Sequence, residues 1–93
     1  MSKNFKILID KQRGDLHVKL KGDFDGSSAC ELLNFLKKNA HNVRSFIIHT
    51  GYLNNIHPFG RHVFQRKFSE TKIKRNKILF TGEKVGLIAP ELL

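Results

Sequence analysis

Leu16, Val18 and Leu20 alternate with His17, Lys19 and Lys21. A period of two predicts a strand with one apolar face and one solvated, cationic face. Upstream, Phe5-Lys6-Ile7-Leu8-Ile9-Asp10 alternates except at Leu8. Lys11-Gln12-Arg13-Gly14 between the two runs reads as a hairpin turn. Ser28 and Glu31 have the spacing of a capping box. Ala29, Leu32, Leu33 and Leu36 then recur at helical intervals, and Lys37 and Lys38 sit where a helix dipole is negative. The pattern predicts a helix that begins near Ser28. Val43 to Thr50 is a third strand, and its unbroken Phe46-Ile47-Ile48 run suggests burial on both faces and a central place. Gly51 to His57 reads as a polar loop. Pro58 suits the first position of a second helix, whose apolar stripe is Phe59, Val63, Phe64 and Phe68. Asn76 to Thr81 is a fourth strand, and Glu83 to Ala89 reads as one short helical turn before Pro90. The order is ββαβαβ: an α/β chain with a mixed four-stranded sheet and its helices mainly on one face. Helices on both faces would not leave a face as charged as that of His17, Lys19 and Lys21. Leu32, Leu36, Phe46, Ile48, Val63 and Phe80 form the predicted core.

Ninety-three residues make one domain, 1–93, since no linker or repeat divides the chain. The 40% hydrophobic fraction, with eight Phe, excludes a wholly disordered chain. No apolar run approaches the roughly 18–20 residues of a membrane span. Met1 to Phe5 lacks the apolar stretch of a secretory signal, so a cytoplasmic protein is expected. The single Cys30 excludes an internal disulfide and a cysteine-based zinc site, and reads as a small buried helix residue.

Charge changes the picture more. Seventeen Lys and Arg against eight Asp and Glu leave +9. The excess is densest from Arg61 to Lys77, where seven cations face Glu70 alone. Such a balance points to an acidic protein, nucleic acid or an anionic surface as partner.

The inventory of catalytic groups is poor. Phosphate-binding, dinucleotide-binding and nucleophile-elbow motifs are all missing from the sequence. His17, His41, His49, His57 and His62 show no ligand spacing, so no metal and no cofactor is expected. Asp23-Phe24-Asp25-Gly26-Ser27 resembles the nucleophile loop of haloacid-dehalogenase-type phosphatases, where a first Asp attacks phosphate beside Mg²⁺. That family's preceding strand is wholly apolar, whereas Leu16 to Lys21 is amphipathic, and its sheet and later motifs need far more residues. An Asp-rich loop leading into a capped helix explains the run equally well.

The same stretch fits a second family better. The chain resembles the STAS domain of bacterial anti-sigma-factor antagonists over residues 5 to 82. There an amphipathic strand ends in Gly-x-hydrophobic-Asp, here Gly22-Asp23-Phe24-Asp25, before a helix resembling Ala29 to Lys38. A buried strand like Phe46-Ile47-Ile48 then leads to a loop that ends Asp-Ser-Ser-Gly, and the matching stretch here runs from Leu53 to Gly60. In that family the first of those serines is the phosphate acceptor. Pro58 occupies its position, Phe59 that of the second serine and His57 that of the Asp, and Gly60 is retained. The resemblance therefore implies a bacterial, non-enzymatic regulatory module whose loop is degenerate and cannot be phosphorylated at that serine. Thirteen residues follow Phe80, which implies that the family's last long helix is reduced or absent.

The resemblance places the partner-facing surface at Asn54, Asn55, His57, Pro58, Phe59 and Arg61. Arg66, Lys67, Lys72, Lys74 and Arg75 are candidate anion-binding residues. An acidic protein is the expected partner of a monomer or homodimer, and nucleic acid bound by the basic 61–77 segment is the alternative. Stacking on bases would require aromatics beside those cations, whereas Phe59, Phe64 and Phe68 fall on the stripe expected to pack inward.

Overall fold

The computed structural model describes residues 4–82. Strands β1 (Lys6–Gln12) and β2 (Asp15–Phe24) pair antiparallel with Gln12 opposite Asp15. Arg13 and Gly14 between them have φ of 52° and 88°, the positive values a two-residue type I′ turn requires. The chain continues through helix α1 (Gly26–Asn39), β3 (Ser45–His49), β4 (Leu53–Ile56), helix α2 (Pro58–Phe68) and β5 (Ile78–Thr81). Two 3₁₀ turns, Ser69–Thr71 and Arg75–Lys77, lie between α2 and β5. The strand order is β1-β2-β3-β5, with β4 attached to β2. β2, β3 and β5 are parallel neighbours, and α1 connects the first two.

The register explains the core. Leu16, Phe46 and Ile78 form one row across the sheet, and Val18, Ile48 and Phe80 the next. All six are buried on one face, together with Ala29, Leu32 and Leu36 of α1 and Phe64 and Phe68 of α2. Phe64 is the hub of an aromatic cluster, with ring centroids 6.4 Å from Phe24, 5.6 Å from Phe68 and 5.8 Å from Phe80. Edge-to-face pairs such as Phe64 with Phe80, at 89°, add to the burial of their area. His17, Lys19 and Lys21 lie on the opposite face, as the alternation predicts.

Five details differ from the sequence expectation. The sheet has a fifth strand, because β4 forms inside the expected loop and pairs with the end of β2. Asp25, not Ser28, caps α1: its side chain accepts from the Ser28 N–H at 2.9 Å, so the helix starts at Gly26. Ile47 is half-buried rather than covered on its second face. Val63 is half-buried at the margin of the core. Phe59 is 67% exposed, because the buried face of α2 runs along Gly60, Phe64 and Phe68 and leaves Phe59 to one side of it. The helical turn expected over 83–89, and the shortened last helix, fall outside the described residues.

Two substitutions on β3 and α2 and one on β5 test this assignment of faces. Phe46→Ala and Phe64→Ala should each cost about 3–5 kcal/mol in denaturant unfolding. Leu79, 57% exposed on the opposite face, should tolerate Ala within about 0.5 kcal/mol.

Candidate functional site

β4 brings two loops together at one end of the sheet. Asn55 pairs with Asp23 and Ile56 with Phe24. The His57 N–H donates to the Phe24 carbonyl at 2.9 Å, and Asn55 Nδ2 donates to Asp23 Oδ1 at 3.0 Å. The turn between β2 and α1 therefore lies against the turn between β4 and α2, and both helices start there. Gly60 makes this closeness sterically feasible. A Cβ on it would stand 2.7 Å from both the Phe24 carbonyl oxygen and the Asp25 carbonyl carbon, which are backbone atoms with no freedom to turn aside.

The carboxylate of Asp25 is held by the start of its own helix. Its Oδ1 accepts from the Ser28 N–H, and the buried Ser28 hydroxyl lies 2.9 Å from it and 2.8 Å from the Asp23 carbonyl oxygen. The Ser28 amide holds Asp25 below the ordinary carboxylate range, ahead of burial, which opposes it. This is the geometry of a helix cap.

Around this junction the predicted partner-facing residues share one end of the molecule. Asn54, Asn55, His57, Pro58, Phe59 and Arg61 are all exposed. His57 occupies the N-cap position of α2 without a capping side-chain bond, and Pro58 follows as the first helical residue. The Phe59 ring lies over Gly26, where a Cβ would come within 2.6 Å of it. It thus closes one end of an open groove of about 910 Å³ between α1 and α2. Cys30, expected to be buried, is half-buried along this groove, beside Glu31.

Apart from Arg75, the candidate anion-binding residues are divided between two concavities, which meet at a third lined by both Lys67 and Lys37. Arg66 and Lys67 line the groove between the helices. Lys72 and Lys74 instead border a second concavity with Lys37, His41 and Lys77, and Arg75 lines neither. Lys77 Nζ is engaged, donating to the Ala40 carbonyl. The Lys37 and His41 contribution is invisible in the 61–77 run because α1 and the turn after it supply it from a distant part of the chain.

Another cluster escapes sequence spacing. His17 on β2 and His49 on β3, expected to be scattered, meet on the open face with Nδ1 of His17 3.0 Å from Nε2 of His49. Thr81 Oγ1 lies 3.0 Å from His49 Nδ1. The ring planes are within 15°, yet the centroids are 5.2 Å apart. Rings at that separation meet nitrogen to nitrogen, and are not stacked face to face. One of the two facing nitrogens must be unprotonated to accept the bond, so two imidazolium rings would repel here. Burial lowers the His49 pKa, and the nearby His17 and Lys19 lower it further. On the sheet's margin Asp15 receives two bonds from Arg44, at 3.0 and 2.8 Å, and one from Ser45 at 2.6 Å. Arg44 foremost, then Ser45, hold its carboxyl at about 2.

Neither protein-family models nor curated proteins match the chain. Solved structures do. An anti-sigma factor antagonist from Mycobacterium paratuberculosis superposes with a TM-score of 0.65 at 14% identity, covering 94% of this chain and 80% of that one. The anti-sigma factor antagonist SpoIIAA in its unphosphorylated form gives a TM-score of 0.61 at 11% identity, with 92% and 81% covered. The chain has a STAS-like fold. A structure of Mglu also matches, with a TM-score of 0.64 at 12% identity over 83% of this chain, but the STAS-like chain spans only 19% of its length. Among the described residues no helix is long and apolar enough to cross a membrane.

Two measurements probe these contacts. Gly60→Ala should force α2 away from the Phe24–Asp25 backbone and cost about 1–3 kcal/mol in denaturant unfolding. The pH dependence of stability should carry the sign of His49. Its folded pKa lies below the ordinary 6.5, so the unfolded chain binds the proton first. Its contribution is complete above pH 6.5 and is lost as pH falls through the lower folded value. His49→Gln should flatten melting temperature against pH just below 6.5. The contribution of Asp15 should remain in that variant and vanish only as pH falls from 3.8 toward 2.

Proposed function

We propose that this STAS-like domain is a non-enzymatic regulatory module that docks a protein partner through Asn54, Asn55, His57, Pro58, Phe59 and Arg61. The docking works without a phosphoserine toggle, since proline at the start of α2 has no hydroxyl. The exposed Phe59 carries this reading. A large aromatic at 67% exposure, fixed over Gly26 at the junction of two helices, is the kind of anchor that fills a pocket on a partner. The rigid Pro58 limits the entropy lost when this turn is captured. The net charge of +9 favours an acidic partner and speeds its encounter. A bacterial cytoplasmic setting accords with the anti-sigma-factor antagonists among the structural matches.

A second reading, an anionic ligand such as nucleic acid, is favoured by one observation. Lys37, His41, Lys72, Lys74 and Lys77 converge on one concavity. His41 is the single aromatic ring among its lining residues and no Phe or Tyr joins it, so it lacks the series of rings on which successive bases stack, and protein docking remains the better account.

Phe59→Ser should weaken binding to the partner recovered from native extract by about thirtyfold, the cost of losing an anchor of about 2 kcal/mol, and leave the melting temperature nearly unchanged. A large drop in melting temperature would return Phe59 to the core. Pro58→Ser supplies a hydroxyl, and unchanged binding without phosphate uptake in the same extract is the outcome expected of a switch-independent interaction. Nucleic acid at the basic concavity would show as log K falling against log[salt] with a slope near −4 to −5, as about five phosphate contacts require. The protein complex should depend on salt less steeply.

A further inference from the structure

We infer that β1 is the dimerisation edge of this chain, pairing antiparallel with β1 of a second copy in a register centred on Leu8. This stands apart from the loop site, which lies at the end of β2. Among the described residues β1 pairs on one side alone, with β2. It is seven residues long, and both of its faces show large apolar side chains, Leu8 45% and Ile9 58% exposed. Such an edge is a template for another strand unless something blunts it.

The backbone restricts the register. Gln12 and Asp15 flank a two-residue turn and so form the closing hydrogen-bonded pair. Counting back in twos, Asp10, Leu8 and Lys6 direct their N–H and C=O groups toward β2, and Lys11, Ile9 and Ile7 direct theirs outward. An antiparallel partner must match outward residue to outward residue. One matching register is centred on Ile9 and puts Leu8 opposite Asp10 of the partner subunit. Centring on Leu8 instead puts Ile7 opposite Ile9 of the partner subunit, Leu8 opposite its own copy, and Lys6 opposite Asp10 of the partner subunit. By two-fold symmetry each of the unlike pairs occurs twice. Opposite charges and apolar pairs directly across a ladder are the stabilising kind. Charge complementarity therefore selects a second copy in this register. The two sheets join edge to edge, both helix layers on the same side, and the loop sites point to opposite ends.

Sedimentation analysis of the full chain across a concentration series should show a species of twice the 10.7 kDa chain mass. Leu8→Lys should leave only monomer with an unchanged melt at low concentration. Lys6→Asp and Asp10→Lys should each weaken dimerisation about five- to thirty-fold, because each puts two like-charge pairs across the axis. The double exchange Lys6→Asp with Asp10→Lys should restore it to near the wild-type value. In a Cys30→Ser background, Leu8→Cys should oxidise to a linked dimer and Ile9→Cys should not. A mass that stays at that of one chain up to millimolar concentration overturns the proposal. So does failure of the double exchange to restore, or cross-linking at Ile9→Cys instead of Leu8→Cys.

Discussion

The structure depends on one long strand changing partners. β2 pairs with β3 from Asp15 to Lys19, and from Gly22 onward with β4. The change falls between Lys19 and Gly22, and the new pairing itself shifts register between Gly22 and Asp23, where Gly22 has φ of 92°. A Cβ on Gly22 would lie 2.0 Å from the Asn4 carbonyl oxygen. Only glycine satisfies both the backbone angle and that approach. Past the shift, Phe24 enters the core between Phe5 and Phe64, at 6.1 and 6.4 Å between ring centroids. Asp23 and Asp25 flank it at the surface. The shift thus supplies a side chain to the aromatic cluster and delivers the strand end that β4 and α2 dock against.

What is legible in the sequence follows from which interactions are local. The alternation of Leu16, Val18 and Leu20 has one physical solution, and both helices and the faces of β2, β3 and β5 follow from it. β4 carries no such signal: Leu53 and Ile56 are its only apolar residues, and Asn54 and Asn55 between them are exposed. It is a strand because the shifted end of β2 offers unpaired backbone, a fact stated twenty or more residues earlier in the chain. His17 and His49 belong to the same class, since their meeting depends on the β2–β3 register. The cap of α1 is a different lapse. Asp25 and Ser28 have the same three-residue spacing as Ser28 and Glu31, and an acidic N-cap competes well with serine. The loop from Asn54 to Phe59 is singled out by resemblance alone, because nothing local distinguishes it from an ordinary turn. Phe59 falls on the apolar stripe of α2, but the buried face is centred on Gly60, Phe64 and Phe68, and a glycine carries no hydrophobic signal.

The surplus charge is also organised by the sheet. The apolar rows of β2, β3 and β5 occupy one face, so the lysines between them must emerge on the other. Lys19 is steadied there over the Tyr52 ring, 5.8 Å from its centroid. Tyr52 belongs to the connection between β3 and β4, which is itself closely tied. The buried Thr50 directs its N–H and its hydroxyl to the Thr81 carbonyl at 2.9 and 2.8 Å, and the Leu53 N–H donates to the Thr50 carbonyl at 3.2 Å.

That connection joins the two polar clusters physically. Thr81 offers its carbonyl to Thr50 and its hydroxyl to His49. Three residues beyond Thr50, β4 begins the run that sets Asn55, His57 and Pro58 beside the turn into α1. Hydrogen bonds and covalent chain thus run without a gap from the imidazole pair on the open face to the start of α2. A buried threonine with both polar groups satisfied in this way is stiff, and its cost if displaced is that of unsatisfied buried groups. The position of the loop from Asn54 to Phe59 is accordingly held from two directions. Gly60 lets α2 press on β2, and Thr50, bonded to both Thr81 of β5 and Leu53 of β4, ties the start of β4 to β5. A loop anchored at both ends can present an exposed Phe59 without losing it to the core.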